Sequence, residues 1–419
     1  MNIFNRKIQY GWVIVFAAFT AMLTTSIPLY SFGVFIEPLT ETFGWLRGSI
    51  SLALAIFNLV VGFVAIFLGR MTDKYGVKQV MILGMAFYVV SLFLTSQINS
   101  LITFYLCFAG LGVGASSFYV PIISTVTKWF TRRRGLALGV SVTAYGVGMA
   151  FFSPLLELAI SNLGWRMTFI YSGVVSIVLL TLSTYLMKSP PERFAAEQKY
   201  DEGEDIEEEE RAADFTVGEA LKCRAYWLIY FMLLFGGISA FFITAHIVPY
   251  SIDAGVSGFY AATLLTVIGL INIFGRVVGG YVVDKLGSAR TLAVIFSLQA
   301  VSIFLIPQFS RLSALYLVAL LFGLAYGSWA FIPGAISSEY FGTTNSGAIL
   351  GTLETVTGMG GAIGPYFAGF VFDVTGTYDL AFTVAGFITV AAAALAVSLT
   401  VFFKERRVNL PEWDKDPRR

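Results

Sequence analysis

Twelve apolar runs, each about the 20 residues that a helix needs to cross a hydrocarbon core, take up most of this chain of 419 residues. They fall at approximately 10–36, 49–68, 78–97, 101–127, 135–159, 167–187, 226–250, 259–283, 290–308, 312–338, 347–372 and 379–403. Lipid supplies no hydrogen-bonding partner to a backbone, so spans of this length read as helices. Composition agrees, with 57% hydrophobic and 13% charged residues, where soluble domains carry about 25% charged residues. The first run follows Arg6 and Lys7, is longer than a signal-peptide core and lacks a small-residue cleavage site. It reads as an uncleaved first span.

Basic residues in the connections predict the orientation. The N-terminus, the even-to-odd connections and the C-terminal tail hold 23 of the 27 lysines and arginines, and the opposite side holds only Arg47, Arg166 and Arg311. Both termini are therefore expected in the cytoplasm of a multi-pass protein of the cell (inner) membrane. The remaining basic residue, Arg276, lies inside the eighth span. Residues 189–222 carry twelve acidic side chains, including Glu207 to Glu210, and are read as a solvated cytoplasmic linker. The linker divides a bundle of six spans at 1–188 from a second at 223–404, with a cytoplasmic tail at 405–419. Cys107 and Cys223 lie in different surroundings and have no metal-site company, so neither a disulfide framework nor a metal site is expected. Net charge is +1 and the basic residues are scattered, which excludes nucleic acid as a partner.

The two halves repeat. Gly69, Asp73, Lys74 and Gly76 after span two match Gly280, Asp284, Lys285 and Gly287 after span eight at an offset of 211, and the register continues at 212 through Gly135 and Gly347 and at 213 through Phe169 and Phe382. Six spans in the same orientation on each side make this a parallel repeat about an axis along the membrane normal.

The Gly-x-x-x-Asp-Lys-x-Gly turn, present twice in a twelve-span chain, resembles the signature loop of the major facilitator superfamily. The resemblance implies an all-α membrane protein of twelve transmembrane helices in two six-helix bundles. In it, Asp73 and Asp284 would act as gate residues, with Arg132, Arg133 and Arg134 available to pair with Asp73. Gly11-Trp12-Val13, Tyr30-Ser31-Phe32-Gly33-Val34-Phe35 and Phe43-Gly44-Trp45 further resemble the monocarboxylate transporters and the related oxalate/formate antiporters. That branch implies secondary transport of a small monocarboxylate, lactate- or pyruvate-like, with a proton by alternating access. Carboxylate exchange is the alternative.

An ionisable group inside a membrane helix is expensive and points to function. Arg276 lies eight residues before Asp284, roughly 12 Å into the bilayer at about 1.5 Å per residue, and its repeat partner is Ala65. A guanidinium matches a carboxylate bidentately and stays charged. Asn272 lies one turn earlier on the same face. Animal monocarboxylate carriers have an aspartate at that position, so the amide here leaves Arg276 without a resident counter-ion. They also have a lysine after the proline of span one, where this chain has Leu29, an apolar wall for the substrate. Span eleven lacks the lysine of the oxalate antiporters, so a single embedded cation fits a monoanion better than a dianion.

Tyr119 lies at nearly the depth of Arg276, and Tyr145, Tyr326 and Phe331 are further wall candidates. Glu354 could carry a proton or serve a gate. His246, the only histidine, is read as a proton-coupling candidate near the outer side or as a packed side chain. No cofactor is expected. Gly358 to Gly364 imitates a dinucleotide fingerprint but lies within a span with no preceding strand, and no phosphate-binding loop occurs. The embedded set is too sparse for an enzyme. The partners expected are a small monocarboxylate anion, a proton and the bilayer, with one chain sufficient for function.

Overall fold

The structure is a computed structural model that describes residues 3–130, 134–190, 215–329, 332–342 and 346–406. The described residues are almost entirely helical, with no strand. Span one comprises α1 (Ile3–Thr25), α2 (Ile27–Tyr30) and α3 (Gly33–Phe43); span two is α4 (Arg47–Tyr75) and span three α5 (Val77–Thr95). Span four comprises α6 (Leu101–Ser116) and α7 (Val120–Trp129), and spans five and six share α8 (Arg134–Leu186), which bends at Gly164 (φ 79°). After a short α9 (Val217–Ala220), span seven is α10 (Arg224–Asp253), span eight α11 (Gly258–Leu286) and span nine α12 (Ser288–Leu305). Span ten comprises α13 (Leu312–Trp329) and α14 (Ile332–Phe341), span eleven α15 (Ser346–Leu353) and α16 (Thr355–Thr375), and span twelve is α17 (Asp379–Arg406).

Nine stretches among the described residues are long and apolar enough to cross a membrane. One of them, 136–186, holds two spans. Tyr10–Thr25 and α16 complete the twelve. α16 carries five glycines and Asp373, and its buried face packs against spans two and seven. Lipid-facing positions are left bare elsewhere. On span eight, Phe274, Val277 and Tyr281 are 64%, 74% and 60% exposed while Asn272 is buried, the two faces that a period of 3.6 residues separates.

Two spans differ from the continuous helices expected of them. Span one breaks at Ser26 and again at Ser31, and runs on to Phe43. Span four breaks at Ser117–Tyr119, where Ser117, Phe118 and Tyr119 donate to carbonyls only three residues back. Prolines explain both. Pro28 and Pro121 have no N–H for the carbonyl four residues earlier. The Tyr88 hydroxyl donates to the freed Thr24 carbonyl at 3.0 Å. The repeat turn is as expected: Gly76 (φ 85°) and Gly287 (φ 80°) both sit in the left-handed region, which strongly favours glycine.

The linker also departs from a wholly solvated segment. Thr216 and Glu219 form a capping box that starts α9, and the Phe215 N–H donates to the Phe341 carbonyl, docking this end on span ten. Residues 191–214 lie outside the described residues.

Candidate functional site

The two bundles meet along spans two and eleven and along spans five and eight, and each seam carries the same device. Pro154 in span five and Pro365 in span eleven lie 211 residues apart, within two residues of the repeat register. Each frees the carbonyl four residues earlier. Thr266 of span eight donates to the Ala150 carbonyl at 2.7 Å, and Asn58 of span two donates to the Gly361 carbonyl at 3.1 Å. Both donors reach across from the opposite bundle, so a backbone defect in one half is satisfied by a side chain of the other.

On the side away from the termini the bundles touch backbone to backbone. A Cβ on Gly369 of span eleven would lie 2.7 Å from the Gly48 Cα of span two. A polar cluster locks this contact. Arg47 donates from both terminal nitrogens to Asp253, at 2.5 and 2.8 Å, and from one of them to the Tyr378 hydroxyl at 3.1 Å. Its guanidinium also lies 4.0 Å from the centroid of the Phe372 ring. Asp373 accepts from the Arg47 and Gly48 N–H groups at 2.9 and 2.7 Å, capping the start of span two. His246 is fully buried beside this cluster. It does not line the central cavity, and its ring binds Tyr378, Pro365 and Ser51.

Between the bundles lies a cavity of about 500 Å³ that extends from this closed end toward the side of the termini, as far as Ala65 and Gly351. Arg276, Asn272, Tyr119, Tyr145, Tyr326, Leu29 and Glu354 all line it, so seven of the residues read from the sequence converge on one space. Arg276 donates its Nε–H to the Asn272 Oδ1 at 3.2 Å. Its two terminal NH₂ groups have no hydrogen-bond partner among the described residues. The amide thus aims the fork without neutralising it. Tyr119 sits at the break in span four, where the irregular backbone brings its phenol to the cavity wall. Glu354 sits at the interruption between α15 and α16, and accepts from the Thr357 hydroxyl at 3.1 Å.

Two wall residues in particular escaped the sequence reading, Tyr30 and Asn58. The Tyr30 and Tyr326 hydroxyls lie 3.3 Å apart, joining spans one and ten across the closed end of the cavity, and the Tyr30 ring packs edge-on against Tyr145 at 6.1 Å. Tyr30 was legible only as part of an aromatic and glycine string. Asn58, also on the wall, gave no signal in the sequence. Much of the rest of the lining is apolar, with Phe57, Val61, Met149 and Phe241, alongside Thr25, Thr355 and Thr357. Phe331, Arg132 and Arg133 lie outside the described residues, as do the side chains of Arg134, Asp73 and Asp284. Among the described residues no group of three or more histidine, cysteine, aspartate or glutamate side chains could hold a metal ion.

Two bundles of six spans around a central cavity with Arg276 on its wall define a multi-pass membrane protein of the solute-carrier type. The chain belongs to the Major Facilitator Superfamily, whose family model matches residues 14–333. It is similar to monocarboxylate transporter 13 of Rattus norvegicus, with 27% identity over 94% of this chain and 90% of that protein. It is similar also to the oxalate:formate antiporter of Oxalobacter formigenes, with 26% identity over 85% of each chain. Among solved structures, a bacterial homolog of the human lysosomal transporter Spinster shares the fold, with a TM-score of 0.67 and 15% identity over 94% of each chain.

Proposed function

We propose that this protein is a secondary active transporter of small monocarboxylates, lactate- or pyruvate-like, that works by alternating access with a co-transported proton. The observation that carries this reading is the guanidinium of Arg276, oriented by Asn272 and with no partner for its terminal nitrogens among the described residues, in a cavity walled by tyrosines and apolar side chains together with Glu354, Asn58 and three threonines. A buried cation without a partner is costly. A carboxylate entering the cavity removes that cost by accepting both terminal N–H groups, with Tyr119 donating to a carboxylate oxygen and Leu29 against the short apolar tail. A monoanion balances the one cation. A dianion leaves a charge uncompensated in a low-dielectric site.

Both termini face the cytoplasm in this reading, as the distribution of basic residues favours, so the closed end with Arg47 is the outer side and the cavity is reached from inside. The bodies that rock are 1–188 and 223–404, joined by 189–222. In the family pattern Asp73, Asp284 and Arg132 to Arg134 gate the inner side. Leu29 and Asn272 cannot carry a proton, which leaves Glu354, on the cavity wall, as the carrier nearest the substrate.

The test is uptake of labelled lactate into proteoliposomes with an imposed pH gradient and no internal anion. Gradient-dependent accumulation is the expected result. A strict requirement for internal carboxylate would replace symport by exchange of the oxalate/formate kind, and indifference to every carboxylate would overturn the substrate class.

A further inference from the structure

We infer that His246 is a positioning residue for the outer closure, which the closed state accepts only as the neutral imidazole with its hydrogen on Nε2, so that acid on the outer side opens this end. The inference rests on the orientation and the alternating-access reading above, and makes His246 a sensor of outer pH rather than the carrier of the transported proton.

Donor and acceptor roles around the ring can be assigned one by one. Nε2 lies 2.9 Å from the Pro365 carbonyl, which can only accept, so Nε2 bears a hydrogen. Nδ1 lies 2.9 Å from the Tyr378 hydroxyl. That hydroxyl oxygen already accepts from the Arg47 guanidinium at 3.1 Å, which can only donate. With a neutral ring the links run in one direction: Arg47 donates to Tyr378, Tyr378 to Nδ1, and Nε2 to Pro365, with the Ser51 hydroxyl oxygen 3.1 Å from Nε2 as a second acceptor for that hydrogen. The chain ties span two, through the turn before span twelve and through span seven, to the kink of span eleven.

Protonation inverts one link. A hydrogen on Nδ1 would point at the Tyr378 oxygen and displace the phenol hydrogen from its only acceptor. It would also place a second cation one phenol away from Arg47. The charged and titratable groups facing this point are Arg47 of span two, Asp253 of span seven, Asp373 of span eleven, Glu37 of span one, which interacts electrostatically with Arg47 and Asp253, and Tyr378 in the turn before span twelve, with Tyr250 packed on the Tyr378 ring. Asp253 and Asp373 are already engaged by Arg47 or by the start of span two, and Glu37 makes no hydrogen bond to the ring among the described residues. Opening the outer end separates these partners, admits water and removes the objection to the charged ring.

The consequence is linkage. A ring that titrates near its ordinary value of about 6.5 when the end is open, and stays neutral when it is closed, lowers the closed-to-open ratio about tenfold between pH 7.5 and 5.5. The readout is a distance and needs no substrate, so it stands or falls apart from the monocarboxylate reading. Spin labels are placed on Asn162 and Ser310, exposed positions of the two bundles on this side, with Cys107 and Cys223 replaced, in full-length protein in lipid nanodiscs. Acidification is expected to raise the long-distance population about tenfold relative to the short one. In His246→Gln, whose amide still donates to Pro365 but takes no proton in this range, the populations are expected to stay fixed. Tyr378→Phe, which keeps the ring but removes the inverted link, is expected to respond at most a few-fold. An unchanged wild-type distance between the two pH values overturns the inference. A full response in His246→Gln would also overturn it, because Asp253, Asp373 or another carboxylate would then own the titration. If His246→Gln does not fold, an undiminished response in Tyr378→Phe overturns it.

Discussion

Two arginines sit in the seam between the bundles, and their surroundings are opposite. Arg47 has a bidentate carboxylate, a phenol and an aromatic face, so nothing remains for a ligand to offer it. Arg276 has one amide oxygen on its Nε and two empty forks. Burial alone does not separate a structural cation from a functional one; the state of its hydrogen-bonding groups does. The first arginine joins the two bundles at one end, and the second, in the function proposed above, is held for a partner that arrives and leaves.

The sharpest way to break the contrast is to remove the waiting charge. Arg276→Gln is expected to lower carboxylate uptake by about 100-fold or more, the worth of a charge-assisted bidentate pair, with membrane abundance unchanged because the partner it leaves, Asn272, is a neutral amide and no charge is orphaned. Near-normal uptake by a well-expressed variant would remove Arg276 from the site. Asn272→Asp attacks the same contrast from the other side, by making Arg276 resemble Arg47. A carboxylate one turn away would pair with the guanidinium and compete with substrate, so the apparent KM is expected to rise about tenfold. An unchanged KM would show that Asn272 does not set the charge of the site.

For Arg47 the expectation is conformational. Arg47→Gln strands Asp253 and is expected to lower the outer-closed population about tenfold, read by the same spin-label distance, and Arg47→Gln with Asp253→Asn is expected to recover part of it. The Asp253 side chain is 34% exposed, so solvent screens some of the loss and the figure stays near the lower end for a buried pair. If the double variant is no better than the single, the pair is not coupled in this way.

Much of this was written in the sequence, and unevenly. The spans, the repeat and the isolation of Arg276 were legible because membrane insertion imposes length and charge rules on a sequence that do not depend on tertiary contacts. The cavity wall was partly legible: Asn272 follows from helical spacing, but Tyr30 looks like any interfacial aromatic until its hydroxyl is seen beside that of Tyr326. The closure at the Arg47 end was not legible. Arg47 counted only as one of three basic residues on the sparse side, and its partners Asp253 and Tyr378 lie 206 and 331 residues away, a pairing that no local pattern announces. The breaks in spans one and four carry a signal in Pro28 and Pro121, but a proline alone does not say whether a helix bends or stops, because that depends on who satisfies the freed carbonyl.

That dependence gives the smallest effect and the cleanest separation of cause. Thr266→Val keeps the shape of the side chain but removes the donor to the Ala150 carbonyl on the span five seam. The cost expected is about 1 kcal/mol, the price of one unmade hydrogen bond, seen as a drop of a degree or two in the unfolding midpoint of the purified protein. The same substitution made together with Pro154→Ala should cost nothing further, because residue 154 then has an N–H of its own to give that carbonyl. Equal losses in the two backgrounds would mean that Thr266 stabilises the seam by packing and not by capping. A loss confined to the proline background would establish that each bundle completes the other's backbone, and Asn58 with Pro365 would then be the place to repeat the cycle on the opposite seam.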